Sequence, residues 1–247
     1  MSDYIVSSLK YRPSSFESVI GQKQITKTLE NSIKEKKIPS AILFCGPRGV
    51  GKTSCARIFA REINNFDYSD DLSYNIFELD AASNNKVEDI RDLIDKVRIP
   101  PQSGKYKVYI IDEVHMLSKN AENAFLKTLE EPPPHIVFIL ATTEKNKILP
   151  TILSRCQIYD FNRISENEIA KNLKHICVKE GVKFEDQALR IIAKKSDGSL
   201  RDSLTILDRV VNFTNKSISL KETSSILNIL DNETYVEIVD KIINGLL

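Results

Sequence analysis

Apolar positions along this chain follow two different patterns, and the change comes at Arg163. From residue 40 onward, short unbroken apolar runs alternate with segments whose apolar residues recur every three or four positions. The runs 41–45, 75–80, 108–112, 136–141 and 157–161 predict strands. The periodic segments 54–62, 87–97, 120–130 and 149–155 predict helices between them. In the third helix Ala121, Phe125 and Leu129 form an apolar stripe, and Pro132, Pro133 and Pro134 stop it. Strands such as Tyr109-Ile110-Ile111 and Val137-Phe138-Ile139-Leu140 show no polar alternation, which suits a parallel sheet covered on both faces. The predicted fold class is α/β, a parallel sheet flanked by helices and followed by a small all-α domain.

Beyond Arg163 the pattern is helical only. Ser165 and Glu168 carry capping-box spacing, and Ile169, Leu173 and Ile176 share the face of the helix they open. A second helix is predicted over 186–195, before Gly198, a candidate left-handed cap. A third starts at Ser199 and carries Leu200, Leu204, Leu207 and Val211. The stretch 220–247 predicts two more helical segments, in which Ile242 and Ile243 lack a partner. The expected domains are 1–163, 164–226, and 227–247 as the start of a third.

Composition narrows the classes. A chain of 247 residues can bury a sizeable core. The formal net charge of +1 confines any nucleic-acid surface to a local patch. Residues 63–85 hold five acids and no Lys or Arg, a poor place to touch phosphates. The four cysteines (Cys45, Cys55, Cys156, Cys177) are far apart, and three lie in apolar stretches, which predicts reduced, mostly buried thiols. No apolar run reaches membrane-spanning length and no signal-peptide core is present, so a cytoplasmic protein with no membrane partner is expected.

The candidate chemistry begins at Gly46-Pro47-Arg48-Gly49-Val50-Gly51-Lys52-Thr53, which fits G-x-x-x-x-G-K-[ST] between a predicted strand and a predicted helix. Glycines let backbone N–H groups curl round a polyphosphate, and the helix N-terminus adds partial positive charge. Residues 46–54, through Ser54, are the candidate nucleotide cradle. Lys52 is placed to reach the β- and γ-phosphates and Thr53 to hold Mg²⁺. The plain alternative is a Gly-rich turn carrying a lysine. The apolar strand ending in Asp112-Glu113 is the matching acidic partner: Asp112 for Mg²⁺ through water, Glu113 to polarise the attacking water. Solvated acids at a strand end are the bland reading. Thr142-Thr143 close the next strand where the ligand crevice of a parallel sheet lies, although two threonines there also make an ordinary turn. Arg155 and Arg201 are not assigned by chemistry alone. His115, His135 and His175 have no ligand spacing and read as structural or surface residues.

Taken together, these blocks resemble the clamp-loader branch of the AAA+ ATPases, specifically the bacterial DNA polymerase III gamma/tau family. The resemblance runs through Tyr11-Arg12-Pro13, Phe16, Gly21-Gln22, the glycine loop, 78–83, 111–117, 126–133, 140–143, Ser154-Arg155-Cys156 and 198–202. It implies that Arg12, Pro13, Val19 and Ile20 pack on the adenine. It implies that Thr143 is a first sensor, that Arg155 is a finger reaching the neighbouring subunit's site, and that Arg201 is a second sensor on a helical lid. It further implies ATP and Mg²⁺, other clamp-loader subunits, a sliding clamp and primer–template DNA as partners. No polymerase chemistry is implied for this chain itself. Arg98, Lys105 and Lys107 are candidate DNA-phosphate contacts, set against a merely solvated basic turn. Residues 227–247 would begin a collar domain cut short, leaving the chain by itself monomeric. The four-cysteine zinc module usual in that family has no counterpart in 63–74, so no zinc is expected. Two other classes stay open: a translocase, since Asp112-Glu113-Val114-His115 has the D-E-x-H form, and a non-hydrolysing nucleotide-bound scaffold.

Overall fold

The computed structural model describes residues 5–67, 74–229 and 240–244. The first elements are one helical turn, α1 (Ser7–Lys10), and the amphipathic helix α2 (Lys23–Lys34). Strands and helices then alternate: β1 (Ala41–Cys45), α3 (Lys52–Glu62), β2 (Ile76–Asp80), α4 (Val87–Val97) and β3 (Lys107–Asp112). They continue with α5 (Lys119–Glu130), β4 (Ile136–Thr142), the short α6 (Pro150–Leu153) and β5 (Gln157–Asp160).

The five strands form one sheet in the order β2-β3-β4-β1-β5, with every neighbouring pair parallel. β1 and β4 are buried along their whole length, which is why their sequences show unbroken apolar runs. Successive residues point to opposite faces. Ile42 and Phe44 join Leu29, Phe59, Ile110 and Ile139 on one side; Leu43 joins Ile90, Ile111, Phe125 and Leu140 on the other. Phe125 of α5 meets Phe138 of β4 edge-on, ring centroids 4.9 Å apart. Ser118 caps α5 by accepting from the Ala121 N–H, and the helix ends at Glu130, before the prolines. α6 is shorter than the predicted 149–155, because the chain turns at Ser154. Before residue 40 the pattern predicts no element, yet α2 buries Ile25, Thr26 and Leu29.

Clustering of contacts divides the chain into two units, one beginning at Arg12 and ending at Arg163. The other contains 164 onward: α7 (Glu166–Glu180), β6 (Lys183–Phe184), α8 (Asp186–Lys195), α9 (Leu200–Phe213), β7 (Ser217–Ile218) and α10 (Leu220–Ile226). Ser165 caps α7, accepting from the Glu168 N–H and donating to its carboxylate. Gly181 and Gly198 take left-handed conformations at the helix connections. The pattern assigned residues 1–11 to the sheet domain. In the structure residues 5–11 belong with the helical unit instead. There the Ser7 N–H donates to the Asp208 carboxylate at 2.8 Å, and Lys10 and Tyr11 both donate to Glu180. Most of the predicted collar start, residues 230–239 and 245–247, lies outside the described residues, as does 68–73 of the segment read as lacking zinc ligands. Among the described residues no helix is long and apolar enough to cross a membrane.

Candidate nucleotide-binding and hydrolysis site

Because β1, β3 and β4 lie side by side and run parallel, their C-terminal ends open onto one rim. The glycine loop leaves β1 there. Gly46, Gly49 and Gly51 have φ of 145°, 75° and 106°. At Gly46 glycine is required twice over, since an added Cβ would also lie 2.4 Å from the Phe161 carbonyl oxygen. Gly51 in turn occupies the N-cap of α3 in the left-handed region. The loop is tied to the neighbouring strand by the Gly46 N–H, which donates to the Thr142 carbonyl at 3.2 Å. Lys52 is buried, and its Nζ donates to the carbonyls of Gly46 and Pro47, each at 2.8 Å. The ammonium is thus held within the loop's own curve.

Thr53, on the first turn of α3, donates its hydroxyl to the Asp112 carboxylate at 2.8 Å. A hydroxyl and a carboxylate side by side make an oxygen donor set that suits a hard divalent cation such as Mg²⁺. Next along, Glu113 takes a left-handed conformation (φ 50°, ψ 43°), with its N–H on Asp112 Oδ1 at 3.0 Å. Its Oε2 accepts the Thr143 hydroxyl at 3.1 Å and the Thr143 N–H at 3.3 Å. Lys52, Thr53, Asp112, Glu113 and Thr143 thus all lie at the C-terminal rim of the sheet. Around them, Arg12 Nε is 3.4 Å from Ser54 Oγ, and buried Val19 lies against Gly51. Pro13 and Ile20 are half-buried, and Arg48 is exposed.

The two predicted arginines have surroundings of their own. Arg155 donates to Glu130 and to the Thr151 carbonyl, both at 2.7 Å, and is partly exposed. Arg201 is exposed on the first turn of α9, in the helical unit. Among the candidate DNA contacts Arg98 and Lys105 are exposed, but Lys107 must be struck out. It is buried, and its ammonium caps the end of α4 by donating to Lys96 O at 2.8 Å and Ile99 O at 3.3 Å. Burial, aided by nearby Lys96, pulls its pKa below the ordinary lysine value.

Sequence reasoning missed two members of the cluster, His115 and Glu144. His115 Nδ1 is 3.0 Å from Thr142 Oγ1, and its Nε2 is 3.3 Å from Glu144 Oε1. A hydrogen bond from Lys147 holds the Glu144 carboxyl below the usual carboxylate range. The only signal in the sequence was the D-E-x-H spacing. Gln22 was seen as part of a motif, and the structure supplies its task. Its amide donates to Asn162 O at 2.7 Å and accepts from the Asn162 N–H at 3.4 Å, pinning the segment after Val19 beside the end of β5.

A family model described as DNA polymerase III, delta subunit, matches residues 21–75 and 69–165. One described as DNA polymerase III clamp loader subunit, ATPase lid domain, matches 168–216. DNA polymerase III subunit gamma of Buchnera aphidicola subsp. Acyrthosiphon pisum is 38% identical over 256 residues, spanning 98% of this chain and 71% of that protein. The chain belongs to the DNA polymerase III gamma/tau family. Subunit tau of Bacillus subtilis is 48% identical over 227 residues, and subunit tau of Escherichia coli 39% over 257 residues. This chain covers 40% of the length of each of these two tau subunits. The Holliday junction branch migration motor RuvB of Thermotoga maritima superposes with a TM-score of 0.70 at 25% identity, over 94% of this chain and 79% of that one. The fold is that of an AAA+ P-loop ATPase with a helical lid, and the family is that of the clamp-loader ATPase subunits.

Proposed function

We propose that this member of the gamma/tau family is an ATP-hydrolysing motor of the replicative clamp loader. In this reading it binds Mg–ATP, engages the sliding clamp together with other clamp-loader subunits, and releases the ring onto primer–template DNA. The carrying observation is the meeting of Lys52, Thr53, Asp112, Glu113 and Thr143 on one sheet rim. Residues 46–54 cradle the polyphosphate, while Arg12, Pro13, Val19 and Ile20 flank the adenine. Thr53 and Asp112 would hold Mg²⁺, which supplies neutralisation of phosphate charge when bound. Glu113 accepts a proton from the attacking water as its oxygen bonds to the γ-phosphorus and the bond to the β-bridging oxygen breaks. Thr143 orients Glu113 for this transfer. Arg155 supplies positive charge to the neighbouring subunit's site, and Arg201 senses the nucleotide from the helical unit. Arg98 and Lys105 are the remaining candidates for DNA phosphates.

The deciding experiment measures phosphate release by the complete chain with partner subunits, clamp and primed DNA. Stimulated release that disappears in Glu113→Gln, with ATP binding retained, supports the reading. Absence of release from the wild type would leave a nucleotide-bound scaffold, and strand displacement without clamp would make it a translocase.

A further inference from the structure

His115 sits on the helical turn Val114–Met116, directly after Glu113, and its side chain is only 6% exposed. Both ring nitrogens face polar groups. Nδ1 lies 3.0 Å from the Thr142 hydroxyl and 3.4 Å from Glu113 Oε2, while Nε2 lies 3.3 Å from Glu144 Oε1. Thr142 and Glu144 are the two residues flanking Thr143. The imidazole thus brackets the very residue that donates twice to Glu113.

A histidine kept only for packing needs satisfied nitrogens and no more. His135 shows that bland case, with Nε2 on the Val97 carbonyl at 3.1 Å. His115 instead stands between two carboxylates, one of which is the proposed base. Glu113 has need of such support. Its backbone is left-handed, a conformation that strains a non-glycine residue. Its side chain is also 31% exposed, so packing alone does not choose its rotamer. The contacts that do choose it are the Thr143 donors on one side and the His115 ring on the other. On the far side of the ring Glu144 is itself anchored, by Lys147 at 2.9 Å, and its N–H donates to Thr142 Oγ1 at 3.0 Å. Through the ring Glu113 is therefore linked to Thr142, at the end of β4, on whose hydroxyl the Glu144 N–H also rests.

We propose that His115 is a positioning residue for Glu113. In the tautomer that carries its proton on Nδ1, the ring donates to Thr142 Oγ1 at 3.0 Å and reaches Glu113 Oε2 at 3.4 Å, and so braces the carboxylate against Thr143. This inference rests on the reading of Glu113 as the hydrolytic base. It separates the two faces of the ring, because an asparagine amide can stand in for Nδ1 and a glutamine amide for Nε2.

The test uses the complete chain assembled with its partner subunits. Wild type, His115→Asn, His115→Gln and His115→Ala are compared for binding of a fluorescent ATP analogue and for single-turnover phosphate release. All four are expected to bind nucleotide alike. Release is expected to slow about 10- to 100-fold in His115→Ala and His115→Gln, the scale set by a misplaced catalytic group, and to stay near wild type in His115→Asn. Wild-type release by His115→Ala would overturn the proposal, and so would rescue by glutamine but not by asparagine. Should the alanine variant lose its thermal transition, the Asn and Gln pair still decides. Glu113→Gln is run alongside. If it still releases phosphate, the reading of Glu113 as base fails; if it does not, the variants at 115 judge the brace alone.

Discussion

The Thr53 hydroxyl and the Asp112 carboxylate meet at 2.8 Å, joining the first turn of α3 to the tip of β3. The contact closes a sequence separation of 59 residues and puts two oxygen donors where a divalent cation would need both. Thr53→Val keeps the volume and removes one donor. The tightening of ATP binding by Mg²⁺ is expected to vanish in this variant, while binding in EDTA stays the same. Paired titrations with and without Mg²⁺ check it, and a persisting Mg²⁺ effect would count against Thr53 as a ligand.

Lys52 and Arg155 are predicted to behave oppositely. Lys52→Ala removes a buried cation aimed into the loop, and ATP affinity is expected to fall by about 10²- to 10⁴-fold, the worth of two charged hydrogen bonds at about 1.5–3 kcal/mol each. Arg155→Ala is expected to leave that affinity unchanged and to lower turnover of the assembled complex by about 10³ to 10⁵. The Arg155–Glu130 pair is partly exposed, and such pairs contribute at most about 1 kcal/mol, so the guanidinium can leave it readily. Loss of ATP binding in Arg155→Ala would refute a role in the neighbour's site.

Gly46→Ala is expected to be the most damaging change in the loop. Its Cβ would drive into Phe161 backbone at 2.4 Å, whereas at Gly51 the nearest atom is Val19 Cγ1 at 3.9 Å. Both positions carry the strain of a positive φ, roughly 1–2 kcal/mol. Urea unfolding should therefore show a loss near that value for Gly51→Ala and about 3–5 kcal/mol for Gly46→Ala. Equal losses would mean the approach to Phe161 is easily relieved.

For DNA, the exposed Arg98 and Lys105 stand apart from Lys107. Replacing either exposed cation is expected to reduce the slope of log affinity against log salt by about one. Lys107→Met should leave the slope alone, since its ammonium is engaged with Lys96 and Ile99 carbonyls. Fluorescence anisotropy with primed DNA over a salt series separates the outcomes.

The thiols are predicted to be inert in the folded protein. Burial pushes Cys45 and Cys177 up to about 11, and Cys55 and Cys156 up to about 12, so almost no thiolate exists at neutral pH. Iodoacetamide should label the native chain very slowly and all four cysteines rapidly in denaturant. Rapid native labelling of half-buried Cys156 would show that its surroundings open.

The strands and the candidate site residues were legible for the same reason. β1, β3 and β4 are buried on both faces, so their apolar runs are continuous, and the glycine loop and the acidic pair are each consecutive residues attached to one of those strands. Capping at Ser165 is likewise a matter of three residues' spacing. What escaped the sequence were contacts between distant residues that share no motif. Ser7 meets Asp208 across 201 positions, which moved the first residues into the helical unit. Lys107 reads as one more surface charge until the end of α4 is seen above it. His115 has no ligand spacing to any other histidine, and beyond nearby Glu113 its partners come from the end of β4 and the turn after it. The chain alone determined which segments are buried and which eight residues can curl round a phosphate, because periodicity and backbone freedom are local properties. The sheet order decided the rest: by laying β3 beside β4, it set Glu113 between Thr143 and His115, a placement that no local pattern encodes.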